Sequence, residues 1–382
     1  MSEPTPRIVG YPKASYLAHR AEIDAAIARV LERGTYILGD EVAAFESEFA
    51  AYLGATACAS VANGTDAVEL ALRACGLGDG AVVIAPSFTA VAAVAAIEAA
   101  GARPLLVDVD PITMTIDVAQ TELALERCQR EGESRVGVLA VHLFGCPADL
   151  TSLLPLITRF GAILVEDCAQ AHGASVDGRK VGTWGSAAAF SFYPTKNLAA
   201  LGDGGAVVSM DAQVIERVKR LRQYGWVTRN VSETVGFNSR LDELQAAVLR
   251  VKLLALDAEN ERRRAIALRY SAALRLGRII CPSVPEGRSH VFHQYVVRTA
   301  QRDDLRAFLQ GHGIPAVVHY PVAAHDQPAY RDRLSVTGTL AESSRSADTV
   351  LSLPMSPHMT DADVDEIAWL VMKHVGPAPR GV

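Results

Sequence analysis

Residues 136–167 read VGVLAVHLFGCPADLTSLLPLITRFGAILVED. Val136 to Leu143 is an apolar run broken only by His142, with the length and composition of a buried strand. Pro147 to Phe160 reads as a helix, with Pro147 at its start, where a missing N–H is no loss. Ala162 to Val165 is a second short apolar strand, and it runs into the acidic pair Glu166-Asp167. Strand, helix and strand in so short a span form a crossover unit, which sets the two strands parallel in one sheet.

The same alternation extends in both directions. Towards the N-terminus lie strands at Ala55–Val61, Ala81–Ala85 and Pro104–Val107, and helices at Ala67–Cys75, Thr89–Ala100 and Asp117–Gln129. Two further helices, Leu17–Leu31 and Glu41–Tyr52, precede them. Beyond Asp167, Ala187–Phe192 and Ala206–Ser209 are strands and Gln213–Tyr224 is a helix. Strands this uniformly apolar are buried on both faces, so the fold class is α/β: a mainly parallel central sheet sandwiched by helices. The pattern then changes. Leu241–Leu256 is a long helix, followed by a charged helix at Glu259–Ser271, a strand at Val291–Val297, a helix at Asp303–Gly311 and a last helix from Asp361. We therefore expect a large domain over residues 1–250 and a smaller α+β C-terminal domain over 251–382.

The net charge of −6 and the absence of a basic run argue against nucleic acid as a partner. The uncharged stretch Ala81–Ile97 is interrupted by Pro86-Ser87-Phe88-Thr89 and reads as strand, turn and helix, so no membrane span is expected. Residues 1–10 lack the apolar core of a secretory leader, and the six cysteines form no CxxC pair. Both features point to reduced core cysteines in a cytoplasmic protein.

In a parallel sheet, ligands bind at the carboxyl ends of the strands. Those ends carry Asn63-Gly64-Thr65, Pro86-Ser87-Phe88, His142, Asp167, and Ser191 through Lys196. Lys196 follows Phe190-Ser191-Phe192-Tyr193-Pro194-Thr195 and precedes a glycine-rich turn, with no other charge until Asp203. A loop lysine is ordinarily a solvated surface charge. One held among apolar and small residues is desolvated, which lowers its pKa and frees the amine as a nucleophile. Asp167 has two readings, a cap of the following turn or a carboxylate that stabilises a cationic ring nitrogen such as that of pyridoxal phosphate. Asn63-Gly64-Thr65-Asp66 is either a phosphate cradle at a helix start or a plain N-cap by Thr65. Ser191 offers a second hydroxyl, and Phe88 is either a ring-stacking group or core. The GxGxxA match at Gly76–Ala81 follows a helix and precedes a strand, the wrong order for a dinucleotide site. His312, His319 and His325 lack metal-ligand spacing, so no metal is expected.

Six ordered motifs carry a family resemblance across nearly the whole chain. They are Asn63–Ala67, Pro86–Thr89, His142–Asp149, Glu166–Gly173, Asn238–Ala246 and His319-Tyr320-Pro321, set around the segment Ser191–Ala206. Together they resemble the DegT/StrS sugar aminotransferases of the fold-type I, aspartate-aminotransferase-like superfamily. The resemblance implies pyridoxal 5′-phosphate (PLP) as cofactor, cycling through pyridoxamine 5′-phosphate, and transaminase activity. It implies that Lys196 carries the cofactor and shuttles the proton, and that Asp167 pairs with the ring nitrogen. Gln170 would sit by the phenolic oxygen, Phe88 would stack on the ring, and Gly64, Thr65 and Ser191 would hold the phosphate. Asn238 would reach the phosphate of a second subunit's cofactor, making the active unit a homodimer. Arg240 would meet the amino donor, and Tyr193, His319 and Tyr320 the sugar nucleotide. Gln170 and the wording around Lys196 resemble the branch that moves the amino group of L-glutamate to C3 of a dTDP-3-keto-6-deoxyhexose. The alternatives are a 4-keto sugar, a UDP-linked keto sugar or a keto-inositol as acceptor, or a PLP-binding protein without turnover.

Overall fold

The structure is a computed structural model that describes residues 12–378. The reading of residues 1–10 falls outside them.

Eight strands form one sheet: β1 (Ala57–Val61), β2 (Val82–Pro86), β3 (Arg103–Val107), β4 (Val136–Val141), β5 (Ile163–Asp167), β6 (Ala187–Ser191), β7 (Gly205–Ser209) and β8 (Ser335–Val336). Their spatial order is β1-β7-β6-β5-β4-β2-β3-β8. The six strands from β6 to β8 pair in parallel, and β7 runs antiparallel between β1 and β6. The α/β class expected from residues 136–167 is the observed one.

Alternation along the strands builds two cores. Val82 and Ile84 of β2 face one helical layer with Phe45, Phe49 and Leu153. Val83 and Ala85 face the other with Leu70, Val94 and Ile97. β5 divides in the same way, with Leu164 on the first face and Val165 on the second. Period-two alternation thus sends the two acids at its end to opposite sides of the sheet.

The helix after β4 begins later than the proline suggests. Asp149 is its N-cap, accepting from the Ser152 N–H at 3.1 Å, and the helix is Leu150–Phe160. Pro147 lies upstream, beyond a tight turn at Leu143–Gly145 in which Phe144 and Gly145 take φ of 59° and 98°. Capping by an aspartate outweighs the start preference of proline here. Leu241–Leu256 is likewise not one helix but the whole of Glu243–Leu253 and the first residue of Leu256–Leu274, so residue 250 lies inside the first of these. A third core, including Tyr270, Tyr295, Leu305, Leu353 and Ile367, surrounds the antiparallel pair Tyr295–Arg298 and Val350–Leu353. The strand Val350–Leu353 and the helix Ala341–Thr349 had no expectation from sequence.

Glu243 ties distant segments together. Its fully buried carboxylate accepts the backbone N–H groups of Gly39, Glu41 and Val42 at 2.8, 3.0 and 2.9 Å. The otherwise unpaired N-terminus of the helix Asp40–Leu53 is therefore capped by a side chain some 200 residues away in sequence. Glu243→Ala leaves these donors buried and unpaired, and is expected to cost about 3 kcal/mol of stability. Urea unfolding followed by circular dichroism measures it; an unchanged midpoint would refute the capping role.

Candidate active site

The carboxyl ends of the strands open into a cavity of about 540 Å³, inside the range usual for small-molecule sites. Its floor is the start of the helix Gly64–Ala74. The N-cap is Asn63, whose side chain accepts the Asp66 N–H at 2.9 Å, so the Thr65 hydroxyl is not spent on capping. Gly64 is required by close approach. A Cβ there would lie 2.5 Å from Ser191 Cβ and 2.9 Å from its Oγ, so the backbone and the Ser191 hydroxyl form one concave wall. Free N–H groups, two hydroxyls and the positive end of a helix make a phosphate cradle.

Lys196 stands on the turn after β6. Phe192 pins this turn: its N–H bonds Gly204 O at 2.7 Å, its carbonyl accepts from Ala200 at 2.8 Å, and its ring packs edge-on to Phe45 and Phe49. Asn197 fixes the far side, donating to Asn260 Oδ1 at 2.8 Å and Val291 O at 3.1 Å. Lys196 lines the cavity and keeps part of its surface accessible. Burial brings its ammonium down from 10.5 to about 8, against the attraction of Asp167.

Asp167, at the end of β5, lines the same cavity. Its Oδ1 accepts the Ala169 N–H at 3.0 Å, so it caps its turn as the first sequence reading expects, and it also lines the cavity. Burial raises its pKa, opposed by the Ala169 N–H, Lys196 and His142. Such a carboxylate gains most from a cation placed against it. Glu166 points to the other face, where it accepts from Gly182, Trp184 and Gly185 at 2.8 Å each. His142 joins Glu166 there at 3.1 Å and accepts the Ala148 N–H through Nδ1, so its proton sits on Nε2. His142 therefore supports the strand end from behind instead of converging on the cavity.

Gln170 lines the cavity in a fixed orientation. Its Oε1 accepts the Phe144 N–H at 2.6 Å, and its Nε2 donates to the Tyr320 hydroxyl at 2.9 Å. The left-handed turn at Phe144 aims that N–H. Burial pushes the Tyr320 hydroxyl up to about 12, so it stays protonated. Tyr193 is half exposed at the cavity wall. Phe88 is almost wholly buried, edge-on to Phe144, and the wall beside it is made by Thr89 and Ala90. His319 bonds Ser352 Oγ at 2.9 Å, and burial, with Lys196 second, lowers it to about 4. Phe88, His319, Tyr320, Arg240 and the exposed Asn238 are not among the lining residues of this single chain.

Thr89 is a group that the sequence reading missed. It lines the cavity, and its buried Oγ1 has no hydrogen-bond partner. Its position directly after Phe88 at a strand end was the available signal. The lining charges are one lysine, Lys196, against Asp66, Asp167 and Asp203, among the described residues.

The residues fit PLP. A glycine-floored cradle suits the phosphate, the unpaired Thr89 hydroxyl calls for a polar ligand, and a desolvated amine shares the cavity with a carboxylate that favours a cation.

Residues 18–372 match the model of the DegT/DnrJ/EryC1/StrS aminotransferase family. The dTDP-3-amino-3,4,6-trideoxy-α-D-glucose transaminase of Streptomyces venezuelae is 46% identical over 348 residues, 91% of this chain and 90% of that protein. The dTDP-3-amino-3,6-dideoxy-α-D-galactopyranose transaminase of Aneurinibacillus thermoaerophilus is 42% identical over 358 residues, 94% and 96% of the two chains. The crystal structure of DesV from S. venezuelae, in complex with a ketimine intermediate, superposes with a TM-score of 0.92 at 44% identity, covering 98% of this chain and 100% of that one. Aminotransferases of this fold type use PLP. With its sheet, its lysine and its carboxylate arranged in this way, the chain belongs to the DegT/DnrJ/EryC1/StrS aminotransferase family.

Proposed function

We propose that this aminotransferase moves the amino group of L-glutamate to the C3 keto group of a dTDP-3-keto-6-deoxyhexose, giving a dTDP-3-amino-3,6-dideoxyhexose. The observation that carries the reading is the shared cavity of Lys196 and Asp167, in a chain whose two relatives above are named as 3-amino-sugar transaminases.

Bound PLP supplies an electron sink that makes the donor's Cα–H acidic. Asp167 would keep the ring nitrogen protonated. Lys196 Nζ would take the donor's Cα proton as general base and deliver it to the cofactor as general acid, and an amine with a pKa near 8 suits both tasks near neutral pH. Gly64, Thr65 and Ser191 hold the phosphate, with Thr89 beside them. Gln170 has one N–H committed to Tyr320 and a second free to donate to the phenolic oxygen. In this reading Phe88, buried behind Thr89 and Ala90, would back the wall against which the ring packs. Tyr193, His319 and Tyr320 face the sugar nucleotide, and Arg240 the donor's carboxylate. Residues 1–250 then carry the cofactor groups, and residues 251–382 contribute His319 and Tyr320.

The active unit in this reading is a homodimer. Cofactor, donor and sugar nucleotide are all anionic, yet one chain lines the cavity with three aspartates and one lysine. A second copy would supply the missing donors, Asn238 towards the cofactor phosphate among them. The six free cysteines suit a reducing cytoplasm. Among the described residues, no helix is long and apolar enough to cross a membrane.

Three outcomes test this. Reaction of the cofactor-free protein with PLP is expected to inflect near pH 8, because only the neutral amine attacks. In Asp167→Asn the inflection moves lower, since attraction by Asp167 raises the lysine pKa; an inflection near 10.5 in the wild type would overturn the buried-amine reading. Asp167→Asn should keep the cofactor but lose about 10²–10³-fold in turnover, and Lys196→Ala should lose turnover altogether. Mass spectrometry of products from dTDP-3-keto, dTDP-4-keto and UDP-linked keto sugars with L-glutamate decides the acceptor, and preference for a 4-keto sugar would refute the C3 assignment.

A further inference from the structure

Behind the turn that carries Lys196 lies a second, smaller cavity of about 20 Å³, room for a single particle the size of a water molecule or a halide. Pro12, Pro194, Ala199 and Pro357 make its apolar walls. Arg263 projects into it from the helix Leu256–Leu274.

Arg263 is an anomaly in its surroundings. Its side chain is 5% exposed, and its Nε and Nη1 are buried with no hydrogen-bond partner. It forms no ion pair among the described residues. Buried guanidinium groups are ordinarily matched to a carboxylate, because an unpaired buried charge is costly. The acid nearest in sequence, Glu259, is one turn earlier on the same helix and also lines the cavity, but its carboxylate is directed to His19 at 3.3 Å and His358 at 3.9 Å and forms no ion pair with Arg263. Two further cations share the neighbourhood. Lys252 is buried and donates to Ala199 O at 2.9 Å, and Lys196 lines the cavity from the turn. Arg263 and Lys252 therefore stand against the one acid, Glu259, in a poorly solvated place.

Ser356 supplies a second donor. Its Oγ accepts the His358 N–H at 3.3 Å, which leaves its own O–H free. Asn197, also in the wall, has its amide committed to Asn260 and Val291. Donors on one side, proline and alanine on the other, and the Glu259 carboxylate turned to its histidines leave room for a single negative charge and not for a multivalent anion.

We propose that this cavity binds one monovalent, halide-sized anion, chloride in ordinary salt, held by Arg263 with the Ser356 hydroxyl as second donor. The anion lies against residues 194–199, so it braces the loop that presents Lys196 from the side opposite the cofactor.

The test uses crystals of the holoenzyme grown with sodium bromide in place of chloride. An anomalous bromine peak beside Arg263 is expected in the wild type and absent in Arg263→Met. In solution, the Tm of the holoenzyme should rise with chloride when gluconate holds the ionic strength constant, and Arg263→Met should lose that dependence. A cavity containing only water, or bromine peaks only at the surface, overturns the proposal, as does a chloride response that Arg263→Met retains. If that variant does not fold, the wild-type anomalous map decides alone. None of these readouts uses turnover, so the result stands apart from the choice of sugar acceptor.

Discussion

One amine and one carboxylate in the same poorly solvated cavity set the terms for everything around them. Burial disfavours the charge on each. It brings the Lys196 ammonium down to about 8 and raises the pKa of Asp167. Their mutual attraction offsets part of this, and so does the Ala169 N–H. The arrangement is poised: the amine is available near neutral pH, and the carboxylate gains when a cationic ring nitrogen arrives. A surface lysine and a surface aspartate would offer neither property, because water would hold both near their ordinary values.

Keeping those groups in place requires support that does not touch the cofactor cavity. The strand β5 ends in two acids, and only one of them faces the cavity. The other, Glu166, is saturated by three backbone N–H groups and His142, and His142 donates its own backbone N–H to Asp167 O at 3.0 Å. The carboxylate at the strand end is thus held from behind by a fully satisfied buried network, the condition under which such networks rigidify instead of destabilise. The Lys196 turn is held in a comparable way. Phe192 anchors one side in the first core, and Asn197 ties the other to Asn260, which in turn donates to His172 O at 2.8 Å.

The parts of this that were legible in the sequence are those written in local pattern. Uniformly apolar runs separated by helical spacing announced a parallel sheet, and the ends of those runs then singled out Gly64, Asp167, Ser191 and Lys196. What was not legible depends on three-dimensional approach. That Asn63 and not Thr65 caps the helix follows from a side-chain bond; a three-residue stretch of plausible caps does not decide it. That Glu166 and His142 turn away from the cavity follows from period-two alternation at the ends of β5 and β4, and this was available in principle. Towards the C-terminus the helices Arg302–Gly311 and Asp361–Val375 were legible in local pattern, but the strand Val350–Leu353 was not, because it pairs with a partner more than fifty residues away, and non-local pairing leaves little trace in local composition.

The charge of the cavity argues for how the site is completed. Every ligand of the proposed reaction carries negative charge, and the wall presented by one chain adds Asp66 and Asp203 to Asp167. Asp66 is held by Ser239, whose hydroxyl donates to it at 2.6 Å and accepts the Ala62 N–H at 3.0 Å, so its charge is partly satisfied inside the chain. Asp203 has no comparable bond among the described residues, and it stands on the turn where Tyr193 and Leu201 remain exposed. Apolar side chains exposed around the mouth of an under-neutralised cavity are what a second copy would cover. Covering them would bring its own polar groups to the anions and, by excluding water, strengthen the electrostatic pairing between Asp167 and the ring.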